Sequence, residues 1–177
     1  MSLPKDPKKP SVFSSEYIME YYKDVKLEDM DKEDIFHRYI VMGSNEEQNN
    51  PEIQKVIAQY GYIEELIDMV DIITDSEVIN YILSSNLFDN KNLTLMEGKI
   101  KNIKFIEDND LPVDFNLGII DFLDKKTNKL VLIKTMCYIP ENTSFKDKIE
   151  KLKNDTIQII IENMNDEIKF RCFLITQ

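Results

Sequence analysis

From Ser14 to Leu83 apolar residues recur every three to four positions, and each run is cut by a turn signal before it grows long. Ser14 or Ser15 can cap a first helix carrying Tyr17, Ile18, Tyr21, Tyr22 and Val25. Asp31 opens a second, with Ile35, Phe36, Tyr39 and Ile40 on one stripe and Gly43 as its stop. After the polar loop 44–50, Asn50 followed by Pro51 supplies a cap and a proline at the first helical position. Ile53, Val56, Ile57 and Tyr60 form the stripe of that third helix, and Gly61 ends it. A fourth turns Ile63, Leu66, Ile67 and Val70 inward and Glu64, Glu65, Asp68 and Asp71 outward. Thr74 with Glu77 reads as a capping box for a fifth, built on Val78, Ile79, Ile82 and Leu83. Helices this short are marginal in isolation, so the pattern predicts a packed helical layer.

Beyond Asn92 the period shortens towards two. Ile100, Ile103 and Phe105 alternate with lysines, and 115–123 (FNLGIIDFL) and 129–139 (KLVLIKTMCYI) read as two strands. The turn residues 124–128 between them predict an antiparallel hairpin. Residues 142–144 can cap a helix with Phe145, Ile149, Leu152 and Ile160 inward. Residues 156–162 (TIQIIIE) fit either a continuation of that helix, the preferred reading, or a strand that hairpins through 163–166. Residues 167–176 form a last strand with Ile168, Phe170, Cys172 and Leu174 on one face. The expected fold class is α+β: a flexible arm (1–13), a layer of about five short helices (14–90), then a small mixed β-sheet with one long helix in the order β-β-β-α-β (91–177), the two regions packed as one globular unit.

Charge follows the same division. Residues 1–90 hold 8 Lys+Arg against 19 Asp+Glu, and residues 91–177 hold 14 against 14, so the whole net charge of −11 belongs to the first half. An acidic half repels polyanions and favours a basic partner, which argues against double-stranded nucleic acid on that face. With 42% hydrophobic and 10% aromatic residues the chain can bury a core. Cys137 and Cys172 lie in apolar runs without motif spacing, which suits buried reduced thiols. No apolar run approaches the about 18 residues of a membrane span and none resembles a signal-peptide core, so the expectation is a cytoplasmic protein with no membrane contact.

Candidate chemistry is sparse. Four glycines leave no phosphate-cradling loop, and His37, the single histidine, sits on a helical stripe where a half-buried packing role is the simpler reading. Cys137 would need His37 beside it to act as a nucleophile. Asp121 falls on the second predicted strand and Lys134 on the next, 13 residues later. With the order helix, three strands, helix, strand over about 62–176, these two residues resemble the core of the PD-(D/E)XK nuclease-like fold. That resemblance implies two carboxylates holding Mg²⁺ beside a lysine that activates or positions water. Leu132 stands where the family has its second acid, so the implied site needs a migrated carboxylate, Glu97 or Glu65. The alternative function is accordingly a divergent or inactive metal-dependent nuclease using Asp121, Lys134 and Glu97 with Mg²⁺. The primary expectation is a non-enzymatic protein–protein interaction module, of adaptor, inhibitor or immunity type and without a cofactor. It would present Glu64, Asp68 and Asp71 of the fourth helix to a basic protein partner.

Overall fold

The computed structural model describes residues 15–107, 115–138 and 147–175. The expected arm over 1–13, the cap candidates 142–144 and Phe145 lie outside the described residues. The chain divides into two compact units, one spanning 1–70 and 75–85, the other 71–74 and 86–177. Within the first are α1 (Ser15–Tyr22), α2 (Lys32–Ile35), α3 (Asn45–Gln48), α4 (Pro51–Gln59), α5 (Ile63–Met69) and α6 (Ser76–Ser84).

Side-chain caps set where these helices begin. Asp31 and Asp34 exchange side-chain and backbone hydrogen bonds, Asp34 N–H donating to Asp31 Oδ1 at 3.0 Å and Asp31 N–H to Asp34 Oδ2 at 3.1 Å. Asp34 is itself buried, and its other oxygen accepts the hydroxyl of buried Tyr22 at 3.2 Å. One carboxylate thereby starts α2 and ties α1 to it. Burial, and then the Asp34 charge, push the Tyr22 phenol well above its ordinary pKa. Past Ile35 the helix widens into a π-helical turn, Phe36–Val41. It stops at Gly43, where a Cβ would lie 2.3 Å from the carbonyl oxygen of Tyr39.

α4 starts as expected, with Asn50 Oδ1 accepting Glu52 N–H at 2.9 Å and Pro51 in the first turn. Its buried face is Ile53, Gln54, Ile57 and Ala58, so Val56 and Tyr60 lie off the stripe the sequence predicts. Gln54 tolerates burial because its amide donates to Gln48 O at 2.9 Å, while the Tyr60 hydroxyl donates to Met30 O at 3.0 Å. Ile63, Leu66, Ile67 and Val70 are buried as predicted. The cap of α6 is Asp75 and not Thr74: Asp75 Oδ1 accepts the N–H groups of Glu77 and Val78.

The second unit is a closed barrel. β2 (Leu93–Glu107), β3 (Phe115–Asp124), β4 (Leu130–Tyr138), β5 (Ile157–Met164) and β6 (Glu167–Leu174) pair in the circuit β2-β3-β4-β6-β5-β2. A two-residue strand β1 (Ile72–Ile73) runs parallel to β6 on the outside of that circuit. Closure depends on β2, which pairs with β5 along Leu93–Gly98 and with β3 along Gly98–Glu107. Gly98 sits at the changeover, where a Cβ would fall 2.0 Å from the carbonyl oxygen of Leu123. A bulge between Ile100 and Asn102 bends the strand further. The β4–β6 contact is parallel and short, registered at Lys134 and Lys169. Residues 147–152 form the described part of a helix, α7, between β4 and β5. A five-stranded Greek-key barrel with this connectivity is of the OB type. Ile100, Ile120, Phe122, Ile133, Ile159 and Phe173 fill it, and Ile149 of α7 joins the same core.

This architecture overturns the expected small mixed sheet with one long helix in β-β-β-α-β order. The sheet is closed and carries an additional strand because 157–164 is β5, not a continuation of the helix. Asn154, at φ 69°, breaks the helix in the left-handed region, and the β-branched run after it pairs with β2 and β6. The 124–128 hairpin is present, with Asp124 accepting the Lys126 N–H and the Thr127 hydroxyl and Asn128 at φ 57°. The region expected to be helical also contains β1, whose partner lies at the far end of the chain.

Candidate functional site

The acidic stripe expected along one helix resolves into two residues and a third elsewhere. Glu64 and Asp68 are exposed on α5, one turn apart, opposite buried Ile63, Leu66 and Ile67. Glu64 and Glu65 lie in the first turn, where negative charge complements the helix dipole, whereas Asp68 lies in the last turn and opposes it. Asp71 is not on α5. The helix ends at Val70, whose backbone is already extended (φ −122°, ψ 118°), and Asp71 belongs to the barrel unit. Its carbonyl accepts the Phe173 N–H at 2.7 Å. Desolvation raises the pKa of its carboxyl, and Lys148 offsets part of that rise.

Asp121, Lys134 and Glu97, the residues of the alternative reading, lie on three different strands of the barrel unit. Asp121 lies within β3, registered against Asn102 and Leu132, with its side chain on the outer face opposite buried Ile120 and Phe122. Lys134 Nζ is 2.9 Å from Glu167 Oε1, and Glu97 Oε1 is 2.9 Å from Lys125 Nζ. Among the described residues no group of three or more His, Cys, Asp or Glu is placed to hold a metal ion. Glu65 is half-buried on α5, in the helical unit.

His37 lies in the π-helical turn with its ring edge-on to Phe36, and its buried Nδ1 has no hydrogen-bond partner. Cys172 is fully buried in β6, and burial pushes its thiol far above the ordinary range, which leaves it a poor nucleophile. The Cys137 side chain lies outside the described residues. No described helix is long and apolar enough to cross a membrane.

What residue-type reasoning passed over is the outer face of β2, β3 and β4. The register lines up Lys99, Leu123 and Leu130 in one row, Asn102, Asp121 and Leu132 in the next, and Lys104, Ile119 and Lys134 in a third, with Lys169 of β6 beyond. Leu130 is 62% exposed and Leu132 49%. Ile106, 42% exposed, stands opposite Leu117 in a fourth row. Beside this face, Lys134 and the β5–β6 turn from Met164 to Lys169 border an open cleft of about 610 Å³. The signal was in the sequence: FNLGIIDFL and KLVLI are apolar at both strand parities. In a closed barrel only one parity can face the core, so the other is left outside. No family model matches this chain, nor does any curated protein or solved structure.

Proposed function

We propose that the chain is a non-enzymatic protein–protein interaction module that presents an acidic helical surface to a basic protein partner. The observation that carries this reading is the outward placement of Glu64 and Asp68 on α5, in a half of the chain that holds the whole net charge of −11. Their helix buries its apolar residues on the other side, so the two carboxylates contribute little to its packing. A field of one sign speeds encounter with an oppositely charged surface and makes binding fall as salt rises.

The test is affinity capture from the native host with the wild-type chain and with the Glu64→Lys/Asp68→Lys double variant, at low and at high ionic strength. The expected result is a basic protein retained by the wild type, released by salt and absent from the variant eluate. Recovery of the same protein with the double variant would move the contact away from α5. Replacing Asp71 is left out of this test, because that residue stands beside β1 and not on the helix.

A further inference from the structure

We propose that the outer face of β2, β3 and β4 is a docking surface for an acidic amphipathic helix of a protein partner, a second contact of opposite sign to the one on α5. The apolar part is Ile106, Ile119, Leu123, Leu130 and Leu132. Exposed aliphatic side chains concentrated on one strand face mark a surface that another apolar surface covers. Around them stand Lys99 and Lys104 on β2, Lys134 on β4 and Lys169 on β6, with the carboxylates of Asp121, Glu97 and Glu167 among them; Glu167 is paired with Lys134 and Glu97 with Lys125. Lys99, Lys104 and Lys169 are the charges of this face outside those two pairs and Asp121, so its rim is basic although the chain carries a net −11.

The chemistry of the occupant follows from that pairing of leucines with lysines. A helix with Leu, Ile or Phe at i, i+3, i+4 and i+7 covers the aliphatic rows, and Asp or Glu flanking that stripe meets the lysine rim. The side chains that make this surface stand on the face of the strands and not at their edges, so a partner that covers them packs across the sheet face. A second copy docked face to face would bring two lysine-rimmed faces together, a like-charge cost that an acidic helix does not have. A single-stranded nucleic acid would satisfy the lysines but leave Leu130 and Leu132 against phosphate and sugar.

The experiment titrates the full chain, isotopically labelled, with a synthetic amphipathic peptide of about 16 residues made of Leu, Phe, Glu and Asp, long enough for about four helical turns. In parallel it uses a peptide of the same composition in scrambled order and a single-stranded oligothymidine. The expected result is saturable binding of the ordered peptide below about 100 μM, with amide shifts confined to β2, β3 and β4. Leu132→Asp and the pair Lys104→Glu/Lys134→Glu should each weaken it at least about tenfold while the circular dichroism of the chain is retained, and Leu130→Ser provides a milder change should either fail to fold. Glu64→Lys/Asp68→Lys should leave peptide binding unchanged, which separates this surface from the one on α5. The proposal is overturned by equal binding of the scrambled peptide, by no binding of the ordered one, or by tighter binding of the oligonucleotide on the same strands. A concentration-dependent dimer that Leu132→Asp dissociates would overturn it in favour of a second copy.

Discussion

The helical unit and the barrel unit solve the same problem, hiding apolar residues, with opposite consequences for their surfaces. In the helical unit α4, α5 and α6 each bury an apolar face, and the apolar residues left exposed there, Val41, Tyr60, Tyr81 and Leu83, lie singly on different elements or at helix ends. On α5 that leaves Glu64 and Asp68 outside and Ile63, Leu66 and Ile67 inside. In the barrel, β3 and β4 are apolar at both parities, so filling the interior with Ile120, Phe122 and Ile133 leaves Ile119, Leu130 and Leu132 on the outside. A helix whose polar residues match its solvent face has no apolar surface left to cover, and what it offers a partner is charge. A strand pair with too many apolar residues for its barrel has a surface still to be covered.

The sharpest way to break that contrast is to compare the two parities of β3. Phe122→Ala, at a fully buried position, should cost about 4 kcal/mol, whereas Ile119→Ala on the outer face should cost under about 1 kcal/mol. Urea midpoints of the two variants decide it, and similar losses would mean that the outer face is not solvent-facing. Next in size is Gly98→Ala, which sets a methyl against the Leu123 carbonyl and Phe122 ring where β2 changes partners. Roughly 2–3 kcal/mol is expected, read from the same transitions. In the helical unit the corresponding local device is a cap. Asp75→Ala should cost about 1 kcal/mol and Thr74→Ala close to nothing, in the same denaturation experiment, because Asp75 carries both N–H contacts.

The smallest expected effect concerns pH. A carboxyl whose pKa is raised by folding, as that of Asp71 is, binds its proton more tightly in the folded chain. Folding is therefore favoured below the ordinary carboxylate pKa of about 4, and that contribution fades as pH rises through the folded value. Asp71→Asn should accordingly stabilise the chain at neutral pH and give no such gain below about pH 4. A destabilised Asp71→Asn variant at neutral pH would show that its contact with the Lys148 charge outweighs desolvation.

The same contrast explains what was legible in the chain. Helix starts and stops depend on residues three or four positions away, so Asp31, Asn50 and Gly43 could be read directly. The error at Thr74 was a matter of one residue between two competing side chains. Barrel closure depends on β2 meeting β5 some sixty residues later and on β4 meeting β6, and no local period encodes either pairing. A closed barrel therefore reads locally as a small mixed sheet, and 156–162 fits either a helix continuation or a strand until β5 is paired with β2 and β6. The acidic candidates were visible as residue types, but Asp71 could not be separated from Glu64 and Asp68 without knowing that α5 stops before it. The Leu130 and Leu132 face was equally visible as composition and was passed over, because strands apolar on both sides ordinarily mean burial on both sides.

The two residues of β1 carry a consequence for how the chain is made. Ile72 and Ile73 pair with Phe173 and Leu174, so during synthesis they emerge about 100 residues before their partner strand exists. The helices on either side of them, α5 and α6, have their packing partners within residues 1–85, while this short apolar link waits unpaired until β6 is released. A ribosome stalled anywhere before β6 would display it, and that interval is when a chaperone has something to hold.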